Sequence, residues 1–249
     1  MTWHAKPSGS YSISSTEGLD NIWEMASCFP AATDEAKSAI IGNSVHEGGL
    51  NPWRWQYDSQ LSVQSGGYGL FQFTPGSGYV QSGWPTKAPN LSVTFVTPNA
   101  LPEDGQAQCE VVGTNYLGKW VQSCWRTYWN YDGTTTPKYP ELWAYRQQVL
   151  NRWGSGSYIT MAQFSQCQDI DAATFIFLAC FEGPKVPNFD PRKRTAAQIY
   201  QILTGTTPPT PPPTPDPPTP PEPTPPRPID ISTLVLLSKK KRRKIIRKY

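Results

Sequence analysis

Metal-binding side chains are scarce in this chain. Its 249 residues include only two histidines, His4 and His46, and five cysteines with no Cys-x-x-Cys pair. Because zinc sites need clustered nitrogen and sulfur ligands, the sequence predicts no metal site, and we expect no cofactor. We expect buried free thiols, with one or two disulfides if the protein matures outside the cytoplasm.

Long apolar runs are also missing. Residues 1–11 lack the basic segment and following apolar stretch of a secretory signal peptide, so we expect none. The apolar run at residues 229–237 is too short to span a bilayer.

Positive charge is sparse until the end of the chain. Residues 1–205 carry 13 Lys and Arg against 16 Asp and Glu, a net charge of −3, whereas the whole chain has +3. The first 205 residues therefore do not present the basic surface that anionic polymers select.

Composition divides the chain into three parts. Residues 1–205 are long enough for a substantial core and form the predicted folded domain. Residues 206–228 hold 14 of the 27 prolines, which predicts an extended linker. Residues 229–249 form a short apolar segment followed by a basic tail, with eight Lys and Arg at 239–248. That tail is either a solvated disordered end or an attachment to an anionic membrane, a wall polymer, nucleic acid or an acidic partner such as a virion protein.

Hydrophobic periodicity and end signals predict a mainly helical domain with a small loop or β element. A short strand or hairpin arm is expected at residues 91–96, and the triplet Arg192 to Arg194 is interpreted as a solvated face. The first helix should pack through Leu19, Ile22, Trp23 and Ala26. The predicted helices cover residues 15–29, 33–47, 106–128, 139–153 and 196–203. A short helix is also predicted after residue 160, and another one begins at residue 169 or 171 and ends at residue 182.

The second predicted helix ends in a carboxyl group. Thr33 is a suitable N-cap and Gly48 with Gly49 stops the helix, which leaves Glu47 in its last turn. Helical spacing puts Glu47 on one inward face with three other residues: Ala36, Ile40 and Asn43.

That position gives Glu47 a chemical role. Burial and the negative end of the helix dipole both disfavour its charged form. A carboxyl that keeps its proton near neutral pH can protonate the leaving oxygen of a glycosidic bond. The competing interpretation is a solvated glutamate at a frayed helix end.

Two motifs carry a family resemblance. Residues 40–47 fit Ile-x-Gly-Asn-x-x-x-Glu, and after Leu-Asn-Pro at 50–52 the chain reads Gly-Leu-Phe-Gln at 69–72. This order resembles the lysozyme superfamily, and above all its phage tail lysozyme branch, with soluble lytic transglycosylases and goose-type lysozymes as wider relatives. Residues 181–184, Phe-Glu-Gly-Pro, are similar to a late Glu-Arg-Pro element of that branch, which extends the resemblance over roughly residues 19–203.

The resemblance implies a lysozyme-like fold and bacterial peptidoglycan as substrate. It implies that Glu47 is the general acid, that Gln72 lines the cleft, and that residues 68–73 pack the catalytic helix against the groove. Gly48 and Phe73 depart from the Ser and Trp common in that branch. The candidate substrate contacts are Gln72, Tyr68, Phe71, Asn51, Trp53 and Trp55.

A catalytic partner for Glu47 is not evident. Asp58 is the one acidic residue between Glu47 and Phe73, and we interpret it as a loop residue. Glu182 is the other secondary candidate for the site. The favoured interpretation is that its side chain ties down the end of its own helix. The sequence does not decide between a hydrolase and a lytic transglycosylase. In the second case the substrate's own acetamido group would assist the cleavage.

Two functions of different class remain. One is a peptidoglycan glycosidase that cleaves between N-acetylmuramic acid and N-acetylglucosamine and that acts from a virion or in the host envelope. The other is a noncatalytic virion or wall-binding protein that retains a lysozyme-like fold. An acid at position 47 favours the first.

Overall fold

The computed structural model describes residues 2–6, 9–54, 67–73, 104–115, 119–120, 138–156 and 158–206. Within these ranges the protein is mainly helical with almost no strand, as the sequence predicts. The strands pair antiparallel, with Lys119 opposite Thr160. The elements are α1 Thr16–Ser27, α2 Asp34–Glu47, α3 Asp104–Asn115, β1 Lys119–Trp120, α4 Pro140–Trp153, β2 Ile159–Thr160, α5 Met161–Ser165, α6 Ile170–Phe177, a π-helix Leu178–Glu182 and α7 Phe189–Thr204.

Helix α2 lies at the centre of the described structure. It packs against α6, α7, α1 and α5, and side chains from every side of the helix are buried. Small residues allow this, because they let neighbouring backbones approach closely. A Cβ built on Gly42 would lie 2.8 Å from Cα of Ala196 in α7, so only glycine fits there.

Side-chain caps set the helix starts that the sequence predicts. Thr33 Oγ1 accepts a hydrogen bond from the Ala36 N–H at 3.2 Å and donates to the Cys167 carbonyl at 2.5 Å. Thr160 forms a capping box at the start of α5, and the Asp169 carboxylate caps α6. The Thr33 cap also joins the start of α2 to the segment that precedes α6.

Helix α1 packs much as predicted. Ile22 and Met25 are fully buried and Ala26 nearly so. Trp23 differs, because it remains 37% exposed at the surface.

Two predicted elements differ from the structure. Helix α3 ends at Asn115, and residues 119–120 belong to β1, so the single helix predicted over 106–128 is wrong. Helix α7 starts at Phe189, seven residues before the predicted start. Asn188, its N-cap, has a left-handed backbone and makes no side-chain cap hydrogen bond, although asparagine is a common N-cap residue.

An aromatic cluster joins residues 67–73 to the end of α6. Its members are Phe71, Phe73, Phe177 and Phe181. The rings of Phe177 and Phe181 stack at 4.6 Å, and Phe71 meets Phe181 edge-on at 5.7 Å. Aromatic pairs at these spacings stabilise a fold by more than the burial of their surface area alone.

Four cysteines are described, and none of them forms a disulfide: Cys28, Cys109, Cys167 and Cys180. Cys28 is partly exposed and the other three are buried. Burial raises the pKa of Cys167 to about 12, and burial together with a contact to Cys28 raises the pKa of Cys109. The expectation of buried thiols is confirmed for Cys109, Cys167 and Cys180 but not for Cys28. Cys124 lies outside the described residues.

No helix within the described ranges has the length and hydropathy needed to cross a bilayer. The expected strand at 91–96, the linker at 206–228 and the basic tail lie outside these ranges, apart from Thr206, and remain predictions.

Candidate active site

The end of α2 presents Glu47 at a tightly packed corner. Gly48 caps the helix, and its N–H donates to the carbonyls of Ser44 at 2.8 Å and Leu70 at 3.1 Å. A Cβ on Gly48 would lie 2.3 Å from the Gly69 carbonyl oxygen, so the serine common in related sequences does not fit this backbone. The loop at residues 67–73 is thereby fixed directly against the turn that follows Glu47.

Glu47 forms an ion pair with Arg192 of α7. Arg192 Nη2 donates to Glu47 Oε1 at 2.5 Å, with side-chain exposures of 4% for Arg192 and 19% for Glu47. The prediction that Arg192 belongs to a solvated face is therefore wrong. It lies at i, i+4 and i+7 spacing with the buried Ala196 and Ile199, on the inner face of α7.

Asn43 holds the guanidinium in place. Its Oδ1 accepts from Arg192 Nη1 at 3.0 Å, and its backbone carbonyl accepts from the same nitrogen at 3.4 Å. Its Nδ2 donates to the Ala39 carbonyl at 2.8 Å and to the Thr174 carbonyl at 3.4 Å. The motif asparagine thus fixes the counter-ion of Glu47 one helical turn from the acid, because residues four apart share a face.

His46 lies beside this pair at the protein surface. Its Nε2 is 2.9 Å from Thr195 Oγ1. Partial burial and the positive charge of Arg192 lower its pKa, so the neutral imidazole prevails near pH 7. This contact links the end of α2 to α7 beside the ion pair.

Glu182 is a second carboxyl close to the ion pair. It is the last residue of the π-helix, and Gly183 follows in a left-handed conformation with φ of 56°. Burial, and secondly the negative charge of Glu47, raise its pKa well above the ordinary value, although Arg192 opposes the shift. The residue as a whole is partly exposed, but its Oε1 is inaccessible and has no hydrogen-bond partner among the described residues. Burial therefore favours the protonated form of Glu182.

The loop that carries Gln72 is closed by hydrogen bonds. Tyr68 and Phe73 exchange backbone hydrogen bonds at 3.1 and 2.9 Å. Gln72 has φ of 48° and donates from Nε2 to the carbonyls of Gly69 at 3.0 Å and Arg54 at 3.3 Å. A left-handed backbone at a non-glycine residue stores strain of about 1 kcal/mol, which often marks a functional loop.

Gln108 of α3 fixes the same loop from the other side. Its Oε1 accepts from the Leu70 N–H at 2.6 Å and its Nε2 donates to the Pro52 carbonyl at 2.8 Å. Sequence reasoning missed this residue, because a glutamine in the middle of a helix gives no local sign of a contact 38 residues away.

The predicted substrate contacts fall into three groups. Tyr68 and Phe71 are 1% and 3% exposed, and Asn51 is fully buried, with hydrogen bonds from its side chain to the backbone of Lys6, Gly9 and Trp53. In the structure these three residues belong to the core or hold the neighbouring backbone in place. Gln72 and Trp53 are partly exposed. Trp55 and Asp58 lie outside the described residues.

Metal ligands do not gather in this part of the chain. No group of three or more His, Cys, Asp or Glu side chains within the described ranges could hold an ion.

These features define the class of protein. A helical domain that holds a carboxyl at the end of its central helix, against a Gly-Leu-Phe-Gln loop, is lysozyme-like. The family comparison agrees, since the model of the phage tail lysozyme family matches residues 20–203. The chain belongs to this family, and membership implies peptidoglycan-degrading activity and association with a phage tail. No curated protein matches the chain.

Proposed function

We propose that the protein is a peptidoglycan glycosidase that cleaves between N-acetylmuramic acid and N-acetylglucosamine, with Glu47 as the general acid. The observation that carries the proposal is the pairing of a partly exposed Glu47 with a buried Arg192 at the edge of the Gly-Leu-Phe-Gln loop. Glu47 can reach a ligand from solvent, while Arg192 is held behind it.

The ion pair suits the transition state of such a reaction. As the proton moves from Glu47 to the leaving oxygen, negative charge develops on the carboxylate. Arg192 is already in position to stabilise this charge, because Asn43 fixes its guanidinium before the reaction starts. Preorganised groups of this kind are often the largest contribution to catalysis.

The groove is proposed to run past the 67–73 loop. Gln72 is partly exposed beside the packed Gly48 corner, and Trp53 is partly exposed next to the same loop segment. We keep these two as glycan contacts. Tyr68, Phe71 and Asn51 act instead by holding the loop in position.

The fate of the cleaved sugar defines the reaction type. Attack of water on C1 gives a reducing N-acetylmuramic acid, whereas attack of its own 6-hydroxyl gives the 1,6-anhydro sugar of a lytic transglycosylase. Either route uses Glu47 to protonate the leaving oxygen, so the proposal covers both.

The test is mass spectrometry of muropeptides released from purified peptidoglycan by wild type, Glu47→Gln and Glu17→Gln. Glu17 is an exposed residue in the first turn of α1, so its variant makes the same chemical change away from the site. We expect Glu47→Gln to lose about 100-fold or more in rate, the usual contribution of a general acid, and Glu17→Gln to retain full activity.

The products distinguish the two routes, because hydrolysis adds one water that the anhydro product lacks. Full activity of Glu47→Gln would remove Glu47 from the mechanism. Wild type that pellets with the wall and releases nothing would favour the noncatalytic binding protein.

A further inference from the structure

A cavity of about 440 Å³ opens beside the first turn of α7. Its walls are the start of α4, Asp171 in the first turn of α6, and residues 186–190, which lead into α7. Lys193 lines the cavity, whereas the residue before it, Arg192, contacts Glu47. Neither Glu47 nor Gln72 is among the described residues that line it, so the cavity is separate from the proposed acid. Clefts of this volume commonly bind small molecules.

Aromatic rings form the apolar part of the cavity. Tyr139, Tyr145 and Phe189 line it, and each is partly exposed. The rings of Tyr145 and Phe189 lie 5.9 Å apart, and both pack edge-on against the buried Phe175, at 5.3 and 5.6 Å. Val186, which is 50% exposed, adds an apolar side chain. Because the core holds two of the rings in place, the cavity offers a ligand a preformed apolar surface.

Polar groups surround these rings. Among the described lining residues, Glu141, Asp171 and Asp190 bring three carboxyl groups against the one ammonium of Lys193. Lys193 Nζ lies 3.2 Å from Asp190 Oδ1 and 3.6 Å from Asp171 Oδ2. Asn188 adds an exposed amide, which makes no cap hydrogen bond with α7. The described lining therefore carries more negative than positive charge.

This combination of groups suits a neutral sugar. One face of a pyranose ring consists of C–H groups, which pack on the electron-rich face of an aromatic ring. The hydroxyl and acetamido groups around its edge form hydrogen bonds, and those to carboxylates are the strongest. A ligand with carboxylates of its own would be repelled by the lining. In peptidoglycan the N-acetylglucosamine units are neutral, whereas the N-acetylmuramic acid units carry peptides with carboxyl groups.

We propose that this cavity is a second binding site for the glycan strand, which takes an N-acetylglucosamine unit away from the bond that Glu47 cleaves. The aromatic rings pack against the face of the sugar. Glu141 and Asn188 form hydrogen bonds with its hydroxyl and acetamido groups. The inference rests on the proposed function, because the strand held here is the one that is cut beside Glu47.

The test is an NMR titration of the ¹⁵N-labelled full chain with the N-acetylglucosamine dimer, for wild type, Asn188→Gly, Glu141→Ala and the control Glu17→Ala. Glycine keeps the left-handed backbone at position 188, where φ is 45°, and removes only the amide group. Glu141 and Glu17 are both exposed in the first turn of a helix. Their alanine variants therefore lose the same favourable interaction with the helix dipole.

In wild type the dimer should shift the amide signals of residues 139–145 and 186–190. Packing on an aromatic ring should also move the C–H proton signals of the dimer upfield. We expect the Kd obtained from the amide shifts to rise about tenfold in Glu141→Ala and roughly threefold in Asn188→Gly, and to stay unchanged in Glu17→Ala. Because the ligand is neutral, Kd should change little between low and high salt. Muramyl dipeptide, which carries a carboxylate, should bind more weakly than the dimer.

The outcomes separate the inference from the proposed function. A dimer that shifts none of these signals would overturn the inference, and so would one that binds both cavity variants as tightly as wild type. Tetralysine that shifts these signals while the dimer does not would also overturn it, because the cavity would then be a site for cations. Shifts by the dimer in a wild type that cleaves no glycan would support the sugar site and overturn the proposed function. Cleavage that depends on Glu47, with the cavity signals unmoved, would do the reverse.

Discussion

Substitution of Gly42 by alanine tests the packing that brings the acid and its counter-ion together. Alanine is the better helix former, by about 0.5–1 kcal/mol in a helix interior. The added Cβ would however lie 2.8 Å from Cα and 2.9 Å from N of Ala196. Both are backbone atoms, so no side chain can rotate away, and α2 and α7 must separate.

Overpacking of this kind costs about 1–3 kcal/mol. After the gain in helix propensity, we expect Gly42→Ala to lower the free energy of unfolding by about 1–2 kcal/mol, which corresponds to a fall in Tm of roughly 2–8 °C for a domain of this size. The separation also moves Arg192 away from Glu47, because both lie on the two displaced helices. Glycan cleavage should therefore fall more than the loss of folded protein explains.

Gly113 in α3 provides the matched control. A Cβ there would meet no described atom within 4 Å. Gly113→Ala should therefore raise the free energy of unfolding by about 0.5–1 kcal/mol through helix propensity alone. Both variants are measured by urea denaturation followed by circular dichroism. A Gly42→Ala protein at least as stable as wild type would show that α2 and α7 do not approach this closely.

Three further predictions concern protonation, thiols and caps. The pKa of Glu182 is raised in the folded protein, so the contribution of its protonated carboxyl to the free energy of unfolding is complete below the ordinary pKa of 4.5. That contribution is lost as the pH rises from 4.5 toward the raised pKa. In that pH range the free energy of unfolding of wild type should fall by about 1.4 kcal/mol per pH unit relative to that of Glu182→Gln. If urea denaturation gives both proteins the same slope of unfolding free energy against pH, the prediction is contradicted. Native iodoacetamide labelling at pH 8, followed by mass spectrometry, should modify the partly exposed Cys28 well before Cys167, whose pKa is raised to about 12, and equal rates would contradict the burial. Thr33→Ala should cost about 1–2 kcal/mol and Ser15→Ala about 1 kcal/mol in urea denaturation, because the second bond of Thr33 goes to the Cys167 carbonyl in a partly buried place, whereas that of Ser15 goes to the exposed Ser12 carbonyl. The reverse order would contradict this difference.

The sequence predicts the parts of the site that depend on local signals. Thr33 and Gly48 mark the two ends of α2, so the position of Glu47 on the inner face follows from helical spacing alone. The structure confirms both ends of the helix, with Ala36, Ile40 and Asn43 buried and Glu47 19% exposed. The motif has glycine at position 42 because Ala196, 154 positions later in the chain, packs directly against it. Only the structure reveals this contact.

Arg192 shows why the rest was not predictable. The prediction started its helix at residue 196 and left Arg192 outside it, whereas the helix begins at Phe189 after Asn188. A start at Phe189 would have placed Arg192 in line with Ala196 and Ile199. Glu182 differs again, because its protonation depends on burial and on two charges from distant segments, neither of which has a local pattern.

The pairing of Glu47 with Arg192 makes the last helix of the matched region part of the chemistry. The two residues are 145 positions apart in the chain, and each is supplied by a different helix. A folding intermediate in which α7 has not yet docked has the acid but not its counter-ion. If Glu47 is the acid, as proposed, competence to cut the wall is a property of the finished domain, and a domain without a docked α7 should be inactive even though Glu47 is intact.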